Sequence, residues 1–508
     1  MIVILNRACQ NDGSTSIMIA KQALFLFVFL IALCAVYLPV VAQFRSSIYG
    51  IQSNDYSGLP AYIRGLSTNE AGNVWMISTG NTGRYSFTPT LSKLRPDGSI
   101  IWQRTTSSAF AFSQDMAQDP NNQDFVITEA IDSTTLIGPG TYNDTTKFSS
   151  LKVSLIDSGG NQVWVKALKV DGFLKRNEAA SYEGNIFCSG FIEPTYTLPT
   201  SAVTADSIAS LRTNFVVRIR RNGGIAYQIR LESPKVRLMY KQPIFFMAPM
   251  PNGGLAILHY TYDYNLAASQ NELAIFVSLL DSNGIEFATK SFNTGRATSA
   301  TPRGIVYRDG RLYVLTSLFN SQIRNSYGLG LMRLKADSSL LVEQNKELRT
   351  GGNIIGDYLV NPTKRSLTFA ANGSLLLGLG TTSNSGLFDL SSRVHYTLTR
   401  LDSNLQIIHT KEYGGCPARS STLIPILAQM PNNNFIMSAG LGCGFTSGSI
   451  SNDRLIENAL LSPPDNRDEL CRLTKSYPSR MIDDGILRPF ALGPTEKAQT
   501  LPLGIGTR

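Results

Sequence analysis

An all-β fold assembled from repeats is predicted by three observations in this 508-residue chain. Charged residues make up 16% of it, against about 25% in an ordinary soluble domain, while 42 Gly and 23 Pro supply many turns. Between those turns, β-branched and aromatic residues alternate with polar ones, the period of half-buried strands. Finally, an Asx turn recurs at Asp97, Asp157, Asn222, Asp281, Asp337 and Asp402, every 56 to 65 residues. Repetition on that scale means a stacked array whose units bury their faces against one another.

The first element is the apolar run Ala23–Ala42, preceded by Lys21 and followed by Gln43. A positive flank, an apolar stretch and small Ala42 after Val40-Val41 fit an export leader cleaved to start the chain near Gln43. Met18 offers an alternative start with a short basic leader. An uncleaved anchor is the other reading of the run, because about 20 apolar residues can span a bilayer. Leu33 before Cys34 does not suit lipoprotein processing, which wants a small residue there. Cleavage would leave residues 43–508 in an extracytoplasmic compartment, changing the net charge from +9 to +8 by removing Arg7, Lys21 and Asp12. No block of Lys and Arg marks a nucleic-acid surface.

From there a two-part unit repeats. Its first part is a turn leading into a strand, at 71–77, 123–128, 183–190, 252–258, 309–315, 372–378 and 432–438. Its second is strand, Asx/Gly turn, strand, at 91–102, 151–164, 215–227, 275–287, 331–342 and 396–408. Asp, Asn and Gly supply the positive φ of tight hairpins. Two hairpins per unit make a four-stranded antiparallel sheet, and a closed ring of such sheets leaves only short edges. The sequence therefore predicts a seven-bladed β-propeller over residues 43–475. Its seventh unit has Glu469–Thr474 as third strand and borrows residues 44–50 as outer strand, closing the ring. Residues 476–508, rich in Pro and Gly, are expected to form an extended tail.

The motifs Asn252-Gly-Gly with its apolar run, Leu-Ile-Asp157-Ser-Gly-Gly leading to Trp164, and Lys411-Glu-Tyr-Gly-Gly415 resemble those of secreted β-propeller repeat proteins of Bacteroidota-type bacteria. The resemblance covers residues 44 to about 475 and implies a propeller fold and a secreted or surface location. This chain departs from the pattern by keeping Trp at two of the outer-strand positions, Trp102 and Trp164, and by lacking a recognisable sorting domain at its end.

Chemistry-bearing residues are sparse. Cys188, Cys416, Cys443 and Cys471 remain after the leader. Their even number in an exported chain permits disulfides, with Cys443–Cys471 the first pairing, Cys416–Cys443 the second, and four reduced, buried thiols the alternative. The Asp/Gly turns lack the alternating oxygens of a calcium loop, and read as turns. His259, His395 and His409 are expected in separate blades, too few and too dispersed for zinc or triad chemistry. Trp102 and Trp164 read as core packing rather than cofactor docking. The long loops at 130–150 and 191–214 invite a binding role. The aromatic cluster Tyr260, Tyr262, Asp263 and Tyr264 is the candidate ligand-binding patch, since rigid amphipathic rings suit sugars and peptides, with alternating strand packing as the competing reading.

These features predict a secreted or cell-surface binding or adhesion scaffold without intrinsic catalysis, cofactor or metal. Its expected partner is an extracellular protein or polysaccharide, not nucleic acid, and it is expected to be a monomer with no stable membrane span after cleavage. The alternative is an extracytoplasmic propeller enzyme acting on carbohydrates or lactones through channel-facing carboxylates. A third reading is a structural propeller that spaces other envelope components.

Overall fold

The computed structural model describes residues 62–69, 71–83, 86–95, 100–105, 114–131, 150–170, 173–193, 213–231, 245–263, 272–293, 298–320, 326–349, 353–354, 366–370, 372–382, 393–417, 426–429, 435–439, 459–461, 480–483, 488–490 and 500–501. Antiparallel strands dominate, and Pro251–Gly253 forms a short 3-10 turn. The first blade is β1 (Tyr62–Thr68), β2 (Val74–Gly83), β3 (Ser86–Leu94) and β4 (Ile100–Thr105); the second is β5 (Gln114–Gln118), β6 (Phe125–Ile131), β7 (Ser150–Ile156) and β8 (Gln162–Lys169). In the third follow β9 (Phe173–Tyr182), β10 (Asn185–Glu193), β11 (Thr213–Arg220) and β12 (Ile225–Leu231), and in the fourth β13 (Phe245–Pro249), β14 (Leu255–Asp263), β15 (Glu272–Leu280) and β16 (Glu286–Asn293). The fifth comprises β17 (Thr298–Arg308), β18 (Arg311–Asn320), β19 (Ser326–Lys335) and β20 (Val342–Arg349). In the sixth, β21 (Asn353–Ile354) and β22 (Leu367–Phe369) both pair with β23 (Leu375–Thr382), ahead of β24 (Arg393–Leu401) and β25 (Ile407–Pro417).

Six blades of at least four strands are thus present, correcting the expected seven, and a further sheet holds three, β26 (Ile426–Gln429), β27 (Phe435–Ala439) and β28 (Ala459–Leu461). The third strand of that sheet is β28, where the sequence pattern pointed to Glu469–Thr474; residues 469–474, like 44–50 and the leader, lie outside the described residues. The short Ala459-Leu-Leu461 carries no periodicity by which sequence could reveal a strand.

The tail does more than extend. β29 (Arg480–Asp483) pairs with β20, β30 (Arg488–Phe490) with β16, and β31 (Thr500–Leu501) with β12. One segment therefore adds a fifth, outermost strand to the fifth, fourth and third blades in turn, running backwards around the ring. Edge strands left open are templates for unwanted pairing, and this segment covers three of them.

Hydrophobic burial lies between blades rather than in one centre. Val126, Leu151 and Val153 of the second blade pack with Ile186, Phe215 and Val217 of the third. Phe246, Leu258 and Val277 meet Val314, Met332 and Leu334 across the fourth and fifth. Each fully buried Phe or Leu contributes about 1.5–3 kcal/mol, so a blade flanked on both sides is stabilised on both faces. Cys188 belongs to such a layer, buried on β10 beside Val217 and Ala179.

The Asx turns hold these sheets in register. Asp281 Oδ1 accepts the Asn283 and Ile285 N–H groups at 2.8 and 2.9 Å, and Asp402 does the same for Asn404 and Gln406, both at 2.8 Å. Turn N–H groups hold the Asp157 carboxyl below the usual carboxylate range, and Ser339 does so for Asp337. These carboxylates are spent on their own backbones, which is why the turns need Asp.

Candidate functional site: the axial cavity

A cavity of about 690 Å³ lies where the first strands of all the sheets converge, within the range of small-molecule sites. Leu66 of β1, Met116 of β5, Met247 of β13, Ile305 of β17, Leu367 of β22 and Leu427 of β26 contribute to its apolar wall. Placement follows from topology. Each innermost strand runs toward the cavity and turns back at the mouth, so its last residues and the following turn form the lining.

Polar groups gather on one arc. Ser67 of β1 donates to Gln118 Oε1 of β5; Gln118 Nε2 donates to Gln123 Oε1 at 2.7 Å, and Gln123 Nε2 to the Pro120 carbonyl at 2.9 Å. Thr68, Asn69, Ser181 and Tyr182 complete that side. The opposite wall, from the fourth blade to the three-stranded sheet, is apolar apart from Tyr307 and Thr368. Among the described residues none of those in the lining is charged.

Carboxylates do occur nearby on the same strands, and they face the next blade. Asp115 Oδ2 accepts the Ala179 N–H at 2.8 Å, Asp119 Oδ2 the Gly184 N–H at 2.5 Å, and Glu178 Oε1 the Met247 N–H at 3.1 Å. These bonds join positions 64, 65 and 69 residues apart, one repeat of sequence. Acidic residues buried in innermost strands were missed by sequence reasoning. Their signal was an acid inside an apolar strand, Gln114-Asp-Met-Ala-Gln and Asn177-Glu-Ala-Ala-Ser, where charge is costly unless it is hydrogen-bonded.

The expected aromatic patch is elsewhere. β14 leaves the cavity at Leu255, opposite Pro249, and reaches Asp263 eight residues later, about 26 Å away at roughly 3.3 Å per residue. Tyr260, Tyr262 and Asp263 stand at that far end, paired only with Ile275, Leu273 and Glu272 of β15, and Tyr264 lies outside the described residues. Cys416 is on β25 opposite Val394, while Cys443 and Cys471 lie outside the described residues.

The histidines correct another expectation: His259 is on β14, but His395 and His409 share the sixth blade, on β24 and β25. His259 stacks on Phe276 with ring centroids 5.2 Å apart and contacts Ser278 Oγ at 3.4 Å, and burial pushes its imidazole down to about 4. It is a neutral packing residue at neutral pH. Among the described residues no group of three or more His, Cys, Asp or Glu is placed to hold a metal ion.

The strand arrangement is that of a β-propeller with a cavity on its axis. No protein-family model matches the chain, and no curated protein matches it in sequence. Among solved structures it is similar to a mutant of Synechocystis apocarotenoid oxygenase (15% identity, 57% of this chain and 64% of that one, TM-score 0.32). Similar too are the cobalt-substituted Synechocystis enzyme (16%, 56% and 60%, TM-score 0.31) and an ACO/RPE65 chimera (16%, 56% and 60%, TM-score 0.32). The matched region spans less than two thirds of each of those chains. The oxygenase is an enzyme, and against that finding the expected binding or adhesion scaffold without intrinsic catalysis is withdrawn.

Proposed function

We propose that this protein acts through its axial cavity, which takes an uncharged, largely apolar small molecule. The observation that carries this reading is a cavity of about 690 Å³ to whose lining, among the described residues, no charged residue contributes, although the carboxylates of Asp115 and Glu178 stand on the same strands. A charged ligand would be desolvated there without a counter-charge, at a cost of several kcal/mol. An apolar one gains roughly 25 cal/mol for each Å² it buries. Sugar or lactone hydrolysis by channel-facing carboxylates finds no support in this lining.

The test uses Nile red, a neutral apolar dye whose emission rises on leaving water. One dye per chain is expected to bind, and Thr368→Trp, which adds bulk at a lining position, is expected to weaken binding at least tenfold. Undiminished binding in that variant would place the dye elsewhere and sink the reading.

Two further proposals concern the whole chain. The three-stranded sheet is read as lying between the sixth and first blades, supported by contacts of β26 with both β22 and β1. Export is supported by the apolar run Ala23–Ala42. Sequencing the amino terminus of the protein recovered outside the cell would show a start near Gln43, and an intact Met1 or Met18 would refute cleavage.

A further inference from the structure

We infer that the ligand carries one neutral oxygen group, a hydroxyl or a carbonyl, and that it docks with that group on Gln118 and Ser67 and its hydrocarbon body against the wall formed by Pro249, Val306 and Phe369. This deepens the cavity reading and rests on it.

The directional order of the polar arc carries the inference. Protons pass one way along it: the Ser67 hydroxyl donates to Gln118, Gln118 to Gln123, and Gln123 to the Pro120 carbonyl. A carboxamide has two N–H groups and a serine oxygen has two lone pairs. Gln118 therefore retains one donor after serving Gln123, and Ser67 retains acceptor capacity after giving its proton away. Both side chains are partly buried and both line the cavity. A ligand oxygen beside them accepts from Gln118 Nε2, and a ligand hydroxyl donates in turn to Ser67 Oγ. The relay also holds Gln118 in one orientation, with its nitrogen fixed toward Gln123 by the 2.7 Å bond.

The rest of the cavity decides the remainder of the ligand. Seven of the nine polar lining residues belong to the first three blades, and the wall from the fourth blade onward offers Pro249, Val306 and Phe369. Such a two-sided cavity orients a molecule with one polar end. The acids that could neutralise a cationic head group, Asp115 and Asp119, are engaged by backbone N–H groups of the third blade. Among the described residues no lysine or arginine is in the lining to receive an anion.

The experiment is a displacement series against Nile red with compounds of one skeleton: decane, 1-decanol, decanal, decanoate and decylammonium. Decanol and decanal are expected to displace the dye, with the two ions at least tenfold weaker. Gln118→Leu is expected to weaken decanol and decanal about tenfold while leaving decane within twofold. Gln118→Glu, which keeps the oxygen that Ser67 binds but loses the N–H, should do the same and guards against misfolding of the leucine variant. Ser67→Ala is expected to weaken decanol, whose hydroxyl donates to Ser67, and to spare decanal, which has no proton to give; equal weakening of both would overturn the acceptor role of Ser67. Decanoate binding as tightly as decanol, or a loss at Gln118 shared equally by decane, overturns the head-group assignment while leaving the cavity as the site. If Nile red binds the chain but neither decane nor decanol displaces it, the cavity reading fails together with this one.

Discussion

At the scale of single residues, neighbouring blades are fitted by exchanging volume across their contact. Trp102, Trp164 and Tyr227 occupy equivalent places on β4, β8 and β12, and each rests on the turn glycine of the next blade, Gly160, Gly223 and Gly284. A Cβ on Gly160 would stand 2.3 Å from the Trp102 ring, and φ there is +89°. Trp164 adds a bond from its indole Nε1 to the Arg221 carbonyl, 2.8 Å. In the fourth blade the equivalent residue is Ala288, and the next turn carries Leu340 instead of glycine, at φ +41° and almost fully buried. Leucine accepts an unfavourable backbone there because it fills the room the missing ring leaves. Ala288→Trp alone should overpack this contact and cost about 1–3 kcal/mol; combined with Leu340→Gly it should recover most of that loss. A double-mutant cycle in urea measures the coupling, and strict additivity would show that the two positions do not share the space.

At the scale of elements, the C-terminal strands are tied to the ring by backbone pairing. β29, β30 and β31 meet β20, β16 and β12 at Lys346–Arg349, Ser291–Asn293 and Arg230–Leu231. Ending the chain after Pro478 should leave those three edges open, raising amide exchange at these residues and promoting self-association through newly exposed edges. Hydrogen exchange together with size-exclusion chromatography checks this, and unchanged protection at all three edges would mean that the tail contributes no pairing in solution. The hairpins around Asp157, Asn222, Asp281, Asp337 and Asp402 were legible in the sequence because turn chemistry is local. Strands β29 to β31 were not, because an added edge strand needs no periodic pattern of its own and takes its register from a partner well over a hundred residues away in sequence.

At the scale of the whole molecule, the ring is held by apolar layers and by polar bonds that step from blade to blade. Asp119 is the most engaged of the latter: it is buried, accepts the Asn121 N–H at 3.0 Å within its own turn, and accepts the Gly184 N–H at 2.5 Å in the next blade. Asp119→Ala leaves both donors without it and should cost about 3 kcal/mol, seen as a lower melting temperature; Asp119→Asn, which keeps an acceptor, should retain more than half of the stability. Equal losses in the two variants would show that charge, not hydrogen bonding, is what matters there. The sequence by itself determined the all-β class, the repeat near sixty residues and the identity of the turn residues, since each follows from local backbone preference and strand alternation. It also marked Trp102 and Trp164 as packing residues. Only the tertiary structure decided that six blades of at least four strands stand among the described residues, that β29 to β31 extend three of them, and that Ser67, Gln118 and Gln123 are hydrogen-bonded in series at the cavity. Their meeting depends on ring closure, which brings the ends of distant innermost strands to one axis, and no local preference encodes that convergence.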